Sequence, residues 1–555
     1  MHLIFFHYHV LPGGVTAVIK AMGTALEQSA TSPVHIRVVS GSAENTAELS
    51  RHWPVDLAPE IGYLSRTRLG SAGSTLDAED EAADGPVGQV GEEQIALAAG
   101  EQSARLADSL WERWGDPGAV WWVHNHHLGK NPVFTWALYR VAELHPEQRM
   151  VLHIHDFPES GRFANLRYLR QAGALPLYRD LPNLHYVTIN SRDRRILQNA
   201  GLTQVSYLPN PVLPLGPEVP PPQADDPPAG RAGAGGLSAT VRQQLHAAFG
   251  AMFPRFRSDA PLLLYPVRTI RRKNVFEAAL LAQLVEGGAS LLVTLPGVSQ
   301  AERQYSSMVQ HAFQDGTIPG LWGIGRQLDE AGIDFETLQH AADMVVSSSV
   351  QEGFGYQFIT PLLYGKAVVA RHLDVLEDVL PLYDEHPHHF YRSLQVPLGS
   401  PSLSGPQALL RFRYSERLDR LAPHIPPDRL EELHADVDEL LGGETIEFSF
   451  LLPHMQYTYL KDMAEEPAFR AEVTALNPRL TQALNTLVGA GVAPASEAIE
   501  RAFGPARHAA HIESILASFG TSGTRSQATG SDPTRIDTAV LRSFTRLEYQ
   551  RLLYE

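Results

Sequence analysis

The feature that most constrains the fold is a series of short apolar runs rich in β-branched and aromatic residues. They alternate with stretches of helical periodicity such as Val15–Gln28 and Asn274–Glu286. Runs that are apolar on both faces and separated by helices are typical of buried parallel strands in βαβ units. The runs are His2–Phe6, His35–Ser40, Ala119–Val123, Met150–Ile154, Tyr186–Ile189, Pro261–Val267, Leu291–Leu295, Met344–Ser347 and Ala367–Ala370. The sequence therefore predicts an α/β protein.

The series is interrupted once, by a segment rich in Pro, Gly and Ala at residues 214–239. Such a composition cannot bury a core and predicts a linker or a disordered insertion. A chain of 555 residues is also too long for one core. We expect an N-terminal α/β domain at 1–213, a second one with helical insertions at 240–519, a flexible segment at 520–537 and a terminal docking helix at 538–555. That helix could pack on the N-terminal domain or on a second subunit, which allows a homodimer.

Composition argues against several classes of protein. The formal net charge of −17 disfavours nucleic acid or an anionic membrane as the main partner. The chain has no cysteine, which excludes disulfides, thiolate metal sites and a cysteine nucleophile. Neither a signal peptide nor an apolar run of about 18 residues is present. We therefore expect a cytoplasmic protein without a stable membrane insertion.

Two turns that follow predicted strands have residues suited to a phosphate. Gly13 and Gly14 lie between the first strand and the first helix, where a ligand can approach the backbone at a helix N-terminus. A tight turn without a ligand is the alternative. The basic cluster Arg268–Lys273 follows a strand of the second domain and could clamp a diphosphate. A solvated basic turn explains that cluster equally well.

A third candidate site is the stretch Glu352-Gly353-Phe354-Gly355, which leads into a predicted helix. Its glycines can present amides to a phosphate, while the carboxylate accepts hydrogen bonds from hydroxyl groups. Glu352 as an ordinary surface residue of a turn is the alternative.

Histidines concentrate after two predicted strands of the first domain, in the segments 121–131 and 152–162. They include His126 and His155, with Lys130 and Arg162 close by in sequence. A His-x-His pattern near an aspartate can ligate a metal, but histidine more often forms structural hydrogen bonds. We expect no essential metal and no cofactor.

In their order along the chain, these pieces resemble a retaining glycosyltransferase of family 4, also described as the group 1 type. The similar segments are LPGGV, LHIHDF, VTINSRDRRIL, YLPNPV, VRTIRRKN and the long stretch LQHAADMVVSSSVQEGFGYQFITPLLYGKAVVAR. The resemblance covers most of residues 1–371 and the surroundings of Glu377, and it becomes weak beyond them. It implies a GT-B fold, with two facing Rossmann-like domains and, here, a mostly helical C-terminal extension.

The resemblance also implies an activity, namely transfer of a hexose from a nucleotide-diphosphate sugar to a hydroxyl group of a small acceptor with retained anomeric configuration. Arg268 and Lys273 would bind the donor diphosphate, and Glu352 and His155 would contact the donor sugar. These four residues are the predicted catalytic set. Two other classes stay open, a phosphorylase of the same fold that uses inorganic phosphate and a non-catalytic binding homologue.

The remaining predicted contacts come from the same resemblance. Donor binding would also involve Gly13, Gly14, Gly353, Phe354, Gly355 and Thr360. In the family a glutamate that usually holds the nucleotide ribose stands where this chain has Thr360, and we expect the following Pro361 to push Thr360 away from helical dihedral angles. The acceptor side would include His126, Lys130 and Arg162.

Overall fold

The computed structural model describes residues 1–65, 69, 92–213, 234–519 and 532–551. The chain forms two compact units. Unit 1 comprises Met1–Pro214 and Glu500–Tyr549, and unit 2 comprises Leu215–Ile499 and Gln550–Glu555. None of the helices described combines the length and the apolar character that crossing a bilayer requires.

Unit 1 is built on a seven-stranded parallel sheet in the order β3-β2-β1-β4-β5-β6-β7. Its strands are β1 His2–His7, β2 His35–Ser40, β3 Val55–Leu57, β4 Ala119–His124, β5 Arg149–Ile154, β6 Leu184–Thr188 and β7 Val205–Tyr207. The α-helices include Gly14–Ser29, Thr46–Leu49, Glu92–Trp114, Pro132–Leu144, Phe163–Gln171, Ser191–Ala200, Pro505–Ser518 and Pro533–Ser543. Short 3-10 helices span Pro59–Ile61 and Leu547–Tyr549. The strand order reverses between β1 and β4.

Unit 2 contains a six-stranded parallel sheet in the order β10-β9-β8-β11-β12-β13. Its strands are β8 Leu262–Arg268, β9 Ser290–Leu295, β10 Gly320–Trp322, β11 Met344–Ser347, β12 Val368–Arg371 and β13 His388–Tyr391. A small antiparallel pair joins β14 Gln395–Pro397 to β15 Thr445–Glu447. In the large sheet the order reverses between β8 and β11.

The helices of unit 2 pack around this sheet and extend beyond its last strand. The α-helices include Ala234–Phe249, Val275–Leu284, Gln300–Gln314, Phe335–Ala341, Tyr356–Leu363, Gln407–Leu421, Pro427–Gly442, Pro453–Glu465, Pro467–Leu476 and Pro478–Leu487. The 3-10 helices include Arg271–Lys273, Ile324–Arg326, Asp329–Ala331, Asp374–Asp378, Leu380–Tyr383, Ala422–His424 and Phe448–Phe450. The division between the two units falls within the helix Ser496–Phe503.

The predicted pair of Rossmann-like α/β domains is confirmed. Each of the nine runs predicted to form strands lies on a strand of the two large sheets. The sequence missed β3, β7, β10 and β13, which are the four edge strands of those sheets. In both units the order reverses beside the first strand, which is where open parallel sheets bind ligands at the carboxyl ends of their strands.

The C-terminal residues divide differently from the expected boundaries. Helix Pro505–Ser518 was expected in the second domain, but Ala509, Ile512 and Ile515 belong to the core of unit 1. The terminal helix was expected at 538–555 and spans Pro533–Ser543 instead, with the Asp532 side chain accepting a hydrogen bond at its N-terminus. That helix docks on unit 1, where the Asp537 carboxylate accepts hydrogen bonds from two backbone N–H groups.

Two predicted segments lie largely outside the described residues. Of the predicted linker 214–239, only the helix that begins at Ala234 is described. Of the predicted flexible segment 520–537, only residues 532–537 are described, and they form the start of helix Pro533–Ser543.

Candidate active site

In unit 1, three buried histidines meet where β4 and β5 end. The register of these neighbouring strands places His124 beside His153, and His155 follows β5 directly. The Nδ1 atom of His124 lies 2.9 Å from Nε2 of His155, so the two rings share a hydrogen bond. The backbone N–H of His155 donates to Oδ1 of Asn125 at 2.8 Å. The backbone contact holds His155 in place, and the contact with His124 orients its ring. Nδ1 is the ring nitrogen of His155 that does not take part in the contact with His124.

Burial keeps these histidines uncharged. It lowers the pKa of His155 to about 4, although the Asp156 carboxylate acts in the opposite direction. Burial and the neighbouring histidines also hold the pKa values of His124 and His153 well below 6.5. At neutral pH His155 is therefore an uncharged hydrogen-bonding group rather than a cation for an anion.

The three histidines also raise the question of a metal site, because one ring nitrogen of each lies within 4.8 Å of the others. The indole N–H of Trp122, which can only donate, lies 3.1 Å from Nδ1 of His153. Nδ1 of His153 therefore accepts, and the proton of the neutral ring sits on Nε2, which then has no lone pair for a metal. The remaining two neutral histidines do not fit a metal centre.

The predicted acceptor-binding residues occupy different positions in unit 1. His126 has 0% exposed surface and its Nε2 lies 3.0 Å from the hydroxyl of Tyr139. A ring without exposed surface has no face for an acceptor, so the structure gives His126 a packing role. Lys130 is half-buried, with Nζ 5.0 Å from the centre of the Tyr63 ring. Arg162 is also half-buried and lies 3.5 Å from a carboxylate oxygen of Asp156.

Gly13 and Gly14 lie between β1 and the helix Gly14–Ser29. The backbone of Gly13 is extended (φ 177°, ψ 176°), a conformation that any residue adopts. A Cβ atom on Gly13 would lie 3.9 Å from the carbonyl oxygen of Leu11, and one on Gly14 would have no described atom within 4 Å. Among the described residues nothing therefore requires a glycine at either position. Their small size leaves the helix N-terminus open.

In unit 2, Lys273 and Glu352 form a buried ion pair beyond the ends of β8 and β11. These strands are neighbours at the reversal of the strand order, the expected ligand position in an open sheet. Nζ of Lys273 contacts Oε1 of Glu352, and the two side chains are only 12% and 8% exposed. Arg272 adds a second cation, with Nη1 3.3 Å from Oε2 of Glu352. The structure thus brings together two of the four predicted catalytic residues.

Both members of the pair are charged at neutral pH. Burial lowers the pKa of Lys273 to about 8, although the charge of Glu352 acts to raise it. For Glu352, burial acts to raise the pKa, but the charges of Lys273 and Arg272 outweigh it and lower the pKa. The site therefore holds a largely desolvated ammonium group, which interacts strongly with an incoming phosphate.

Arg268 was predicted to share the diphosphate with Lys273, but it is paired elsewhere. Its Nη2 lies 3.1 Å from Oε1 of Glu302, and its side chain is 48% exposed. The 3-10 helix Arg271–Lys273 instead directs Arg272 toward Glu352. The structure therefore favours Arg272 as the second cation beside Glu352.

Hydroxyl groups from the neighbouring strands hold the backbone beneath Lys273. The Tyr265 hydroxyl donates to the carbonyl oxygen of Lys273 at 2.8 Å and lies 2.8 Å from Oγ of Ser349. Oγ of Ser348 donates to the same carbonyl oxygen at 3.1 Å. The strand ends thus fix the turn as well as carrying the charged groups.

Two further residues orient the side chains of these sites: Gln357, which had no predicted role, and His124, which the sequence marked only as one of the clustered histidines. Nε2 of Gln357 donates to Oε1 of Glu352 at 2.8 Å and to Oγ of Ser349 at 3.0 Å, and so orients the carboxylate. His124 orients His155 in the same way. Gln357 lies within the long stretch that resembles the family but carried no predicted role, whereas the position of His124, at the end of a strand next to the one that carries His155, was a usable signal.

The glycine loop of unit 2 is required by the backbone. Gly355 has a left-handed conformation (φ 88°) at the N-terminus of helix Tyr356–Leu363. A Cβ atom there would lie 2.9 Å from the Phe358 ring, so no other residue fits without strain. Gly353 is half-buried, whereas Phe354 is only 6% exposed and packs its ring against Tyr356.

Thr360 differs from its prediction. It lies inside helix Tyr356–Leu363, and Pro361 follows it within the same helix. The buried residues of this helix include Phe358, Ile359 and Leu362, and their packing outweighs the local preference against helix before proline. The Thr360 hydroxyl donates to the carbonyl oxygen of Tyr356 at 3.0 Å. It is therefore already used within the helix.

Comparisons with known proteins found similar chains in sequence and in structure. No family model matches the chain. The mannosylglucosyl-3-phosphoglycerate synthase of Petrotoga mobilis is 26% identical over 503 residues, which is 87% of each chain. Among solved structures, Anabaena HepE in complex with UDP-glucose is 13% identical and covers 93% of this chain and 100% of its own, with a TM-score of 0.46. The sucrose-phosphate synthase of Thermosynechococcus elongatus is 12% identical with a TM-score of 0.47, covering 94% of this chain and 100% of its own.

The chain contains two Rossmann-like units, and its sequence is similar over most of its length to that of a relative named as a mannosylglucosyl-3-phosphoglycerate synthase.

Proposed function

We propose that the protein is a retaining glycosyltransferase that moves a hexose from a nucleotide-diphosphate sugar to a hydroxyl group of a small acceptor. The observation that carries this proposal is the buried pair of Lys273 and Glu352 at the strand reversal of unit 2. A desolvated ammonium next to a carboxylate suits a donor with a diphosphate and a polyhydroxylated sugar. Lys273 binds the phosphate oxygens, and Glu352 accepts hydrogen bonds from sugar hydroxyls.

The transfer breaks the bond between the anomeric carbon and the diphosphate oxygen and forms one to the acceptor oxygen on the same face. The acceptor proton passes to the leaving diphosphate. Lys273 stabilises the negative charge that develops on that group, and Arg272 contributes a second cation nearby. His155, uncharged at neutral pH, contacts the donor sugar through a hydrogen bond. Arg268 contacts the diphosphate only if its side chain leaves Glu302 when the donor binds.

We propose that the acceptor is anionic. The Petrotoga relative is named for a product that contains a glycosylated phosphoglycerate, and such a molecule carries phosphate and carboxylate groups. Lys130 and Arg162 of unit 1 have the charge to bind them. Their present contacts with Tyr63 and Asp156 hold both side chains in defined positions. A glucosylated phosphoglycerate is therefore the first acceptor to test.

A phosphorylase of similar architecture remains the second candidate function. The hydroxyl of Thr360 is bonded within its own helix, so this position offers the ribose of a nucleotide less than a glutamate would. Inorganic phosphate needs no ribose contact.

The homodimer also stays a prediction, and the mass of the protein in solution tests it.

A thermal-shift panel tests the proposed function. The panel contains nucleoside diphosphates, their sugar conjugates and inorganic phosphate, each with wild type and with Lys273→Ala. A ligand present at 100 times its dissociation constant stabilises the folded protein by about 2.7 kcal/mol. We expect this shift with one nucleoside diphosphate in wild type and its loss in the variant.

The other outcomes of the panel are equally informative. A shift with inorganic phosphate alone would favour the phosphorylase. No shift with any of these compounds would favour a non-catalytic homologue. For a nucleotide sugar that binds, NMR of the product formed with the anionic acceptor shows whether the anomeric configuration is retained.

A further inference from the structure

A buried network of charged side chains lies next to the basic cluster Arg268–Lys273, which we call the basic turn of unit 2. Arg371 at the end of β12 donates to Oε1 of Glu447 at 2.7 Å and also contacts Glu277. These side chains are nearly inaccessible, with relative exposures of 2%, 7% and 0% respectively for Arg371, Glu447 and Glu277. The Tyr391 hydroxyl donates to Oε1 of Glu277, the oxygen that Arg371 also contacts, at 2.7 Å.

The network continues into the turn that carries Lys273. Oε2 of Glu277 accepts a hydrogen bond from Nδ2 of Asn274 at 2.7 Å. Oδ1 of Asn274 in turn accepts from Gln456 and from Arg271, each at 3.0 Å. The side chain of Asn274 is therefore held at both ends.

Asn274 has a left-handed backbone conformation, with φ of 50° and ψ of 49°. Residues other than glycine adopt it at some cost, and asparagine does so more readily than most. Because Asn274 follows Lys273 directly, the contacts that maintain this conformation also set the direction in which the Lys273 side chain leaves the turn.

The last member of the network comes from a distant part of the sequence. Nε of Arg551 donates to Oγ of Ser449 at 2.6 Å, and its Nη2 lies 3.6 Å from Oε2 of Glu447. Its guanidinium group also lies 4.5 Å from the centre of the Phe450 ring. Arg551 is only 7% exposed, although the helix Pro533–Ser543 that precedes it belongs to unit 1.

Arg551 balances the charge of the network. With it, Arg371 and Arg551 face the two carboxylates Glu277 and Glu447. Without it, Arg371 is the only cation among the described residues that forms an ion pair with either carboxylate, and breaking a buried ion pair in this way leaves charge under-compensated. Glu447 and Glu277 would then compete for Arg371. A shift of Glu277 would disturb Asn274, which donates a hydrogen bond to it.

We propose that Arg551 is a positioning residue for the basic turn of unit 2, acting on Lys273 through Glu447, Arg371, Glu277 and Asn274. The effect on donor binding rests on the proposed function, whereas the effect on the turn does not. The tail of the chain thereby helps to shape the proposed diphosphate site without touching the ligand.

The test compares Arg551→Met with the double variant Glu447→Gln/Arg551→Met, which removes one charge of each sign. Hydrogen exchange of the peptide that contains residues 268–277 reports the turn directly. We expect clearly faster exchange in Arg551→Met and recovery in the double variant. Nucleoside diphosphate affinity should weaken about tenfold in the single variant and recover in the double one. Arg546→Met, which removes an exposed arginine of unit 1, should change neither measurement.

Two results would overturn the proposal. One is unchanged exchange of that peptide in Arg551→Met, whatever happens to the melting temperature. The other is failure of the double variant to recover. If Arg551→Met does not fold, Arg551→Lys keeps the charge but loses the Ser449 contact, and it should give a smaller change of the same sign. If hydrogen exchange in the two variants changes as expected but the wild type binds no nucleoside diphosphate, the proposed function is rejected. The positioning role of Arg551 is then retained.

Discussion

The two units place different polar groups near the point where the strand order of each sheet reverses. Near the reversal in unit 1 are histidines such as His124 and His155, which burial makes neutral. At the reversal in unit 2 is the charged pair of Lys273 and Glu352. A buried ionisable group is tolerated either without its charge or with a partner, and histidine suits the first route while lysine and glutamate need the second. Unit 1 should therefore respond to acid, and unit 2 to the loss of one member of a pair.

The largest expected effect is acid unfolding of unit 1. Burial lowers the pKa of His7, His127 and His508 to about 3 each, whereas an unfolded histidine titrates near 6.5. The stability from these neutral rings is complete above pH 6.5 and is lost as the pH falls toward 3. Three such groups cost about 6 kcal/mol at pH 5, comparable with the whole stability of a domain.

Tryptophan fluorescence measures this effect selectively. Six of the seven tryptophans lie in unit 1 and only Trp322 lies in unit 2. We expect the fluorescence change between pH 6.5 and pH 4 to precede most of the loss of helical circular dichroism. Coincident transitions, or stable fluorescence down to pH 4, would break the proposed contrast between the units.

The next effect is the loss of one member of the charged pair. Lys273→Ala should slow turnover by more than about 100-fold, because a preorganised donor to a developing charge contributes about 3 kcal/mol. The rate constant of a single turnover measures this. Lys461→Ala is the matched control, since Lys461 is an exposed lysine of unit 2 that lies 5.9 Å from the centre of the Tyr457 ring. Turnover within twofold of wild type in Lys273→Ala would refute the assignment.

A smaller effect concerns the pH dependence of donor affinity. Because the pKa of Lys273 is lowered to about 8, the free protein loses this charge above that pH, and a diphosphate can bind strongly only with uptake of a proton. The association constant should fall by up to tenfold per pH unit above pH 8. Calorimetry between pH 7 and pH 9.5 measures it. Lys273→Arg, which stays charged throughout, should bind with little pH dependence, and an equal slope in both proteins would assign the effect elsewhere.

The smallest effect is at Thr360. Because its hydroxyl is bonded to Tyr356, Thr360→Val should change nucleoside diphosphate affinity less than about twofold. Thr360→Glu supplies a charged acceptor for the ribose and should tighten binding by up to about tenfold, with inorganic phosphate unaffected. Weaker nucleotide binding in the glutamate variant would indicate that this pocket has diverged from nucleotide use.

The predictability of the fold follows from burial. Central strands such as β1 and β8 are apolar on both faces, which makes them visible as continuous runs. The missed edge strands β3 and β13 are only three and four residues long and partly exposed, so they leave no such run. Helix Pro505–Ser518 was assigned to the wrong unit because periodicity shows which face is apolar but not which surface it covers.

The site was predictable only in part, for a similar reason. Motif order singled out Lys273, Glu352 and His155, which lie at strand ends where topology brings ligand-binding groups together. Motif spacing selected Arg268 over Arg272, because the 3-10 turn that decides between them leaves no signal in the sequence. Support from Gln357 and Arg551 depends on side-chain contacts that leave no signal in the sequence, whereas His124 was marked by its position at the end of a strand next to the one that carries His155.

Parallel calorimetric titrations of one nucleoside diphosphate into wild type, Lys273→Ala and His155→Ala test the central claim most directly. We expect affinity at least about 30-fold weaker in Lys273→Ala and within about threefold of wild type in His155→Ala, because the proposed roles are binding of the diphosphate by a charged group and contact with the sugar by a neutral ring. Both variants should lose most turnover, while His52→Ala, an exposed histidine of unit 1, should lose none. Weaker nucleotide binding in His155→Ala than in Lys273→Ala would contradict the division of roles between the neutral and the charged site.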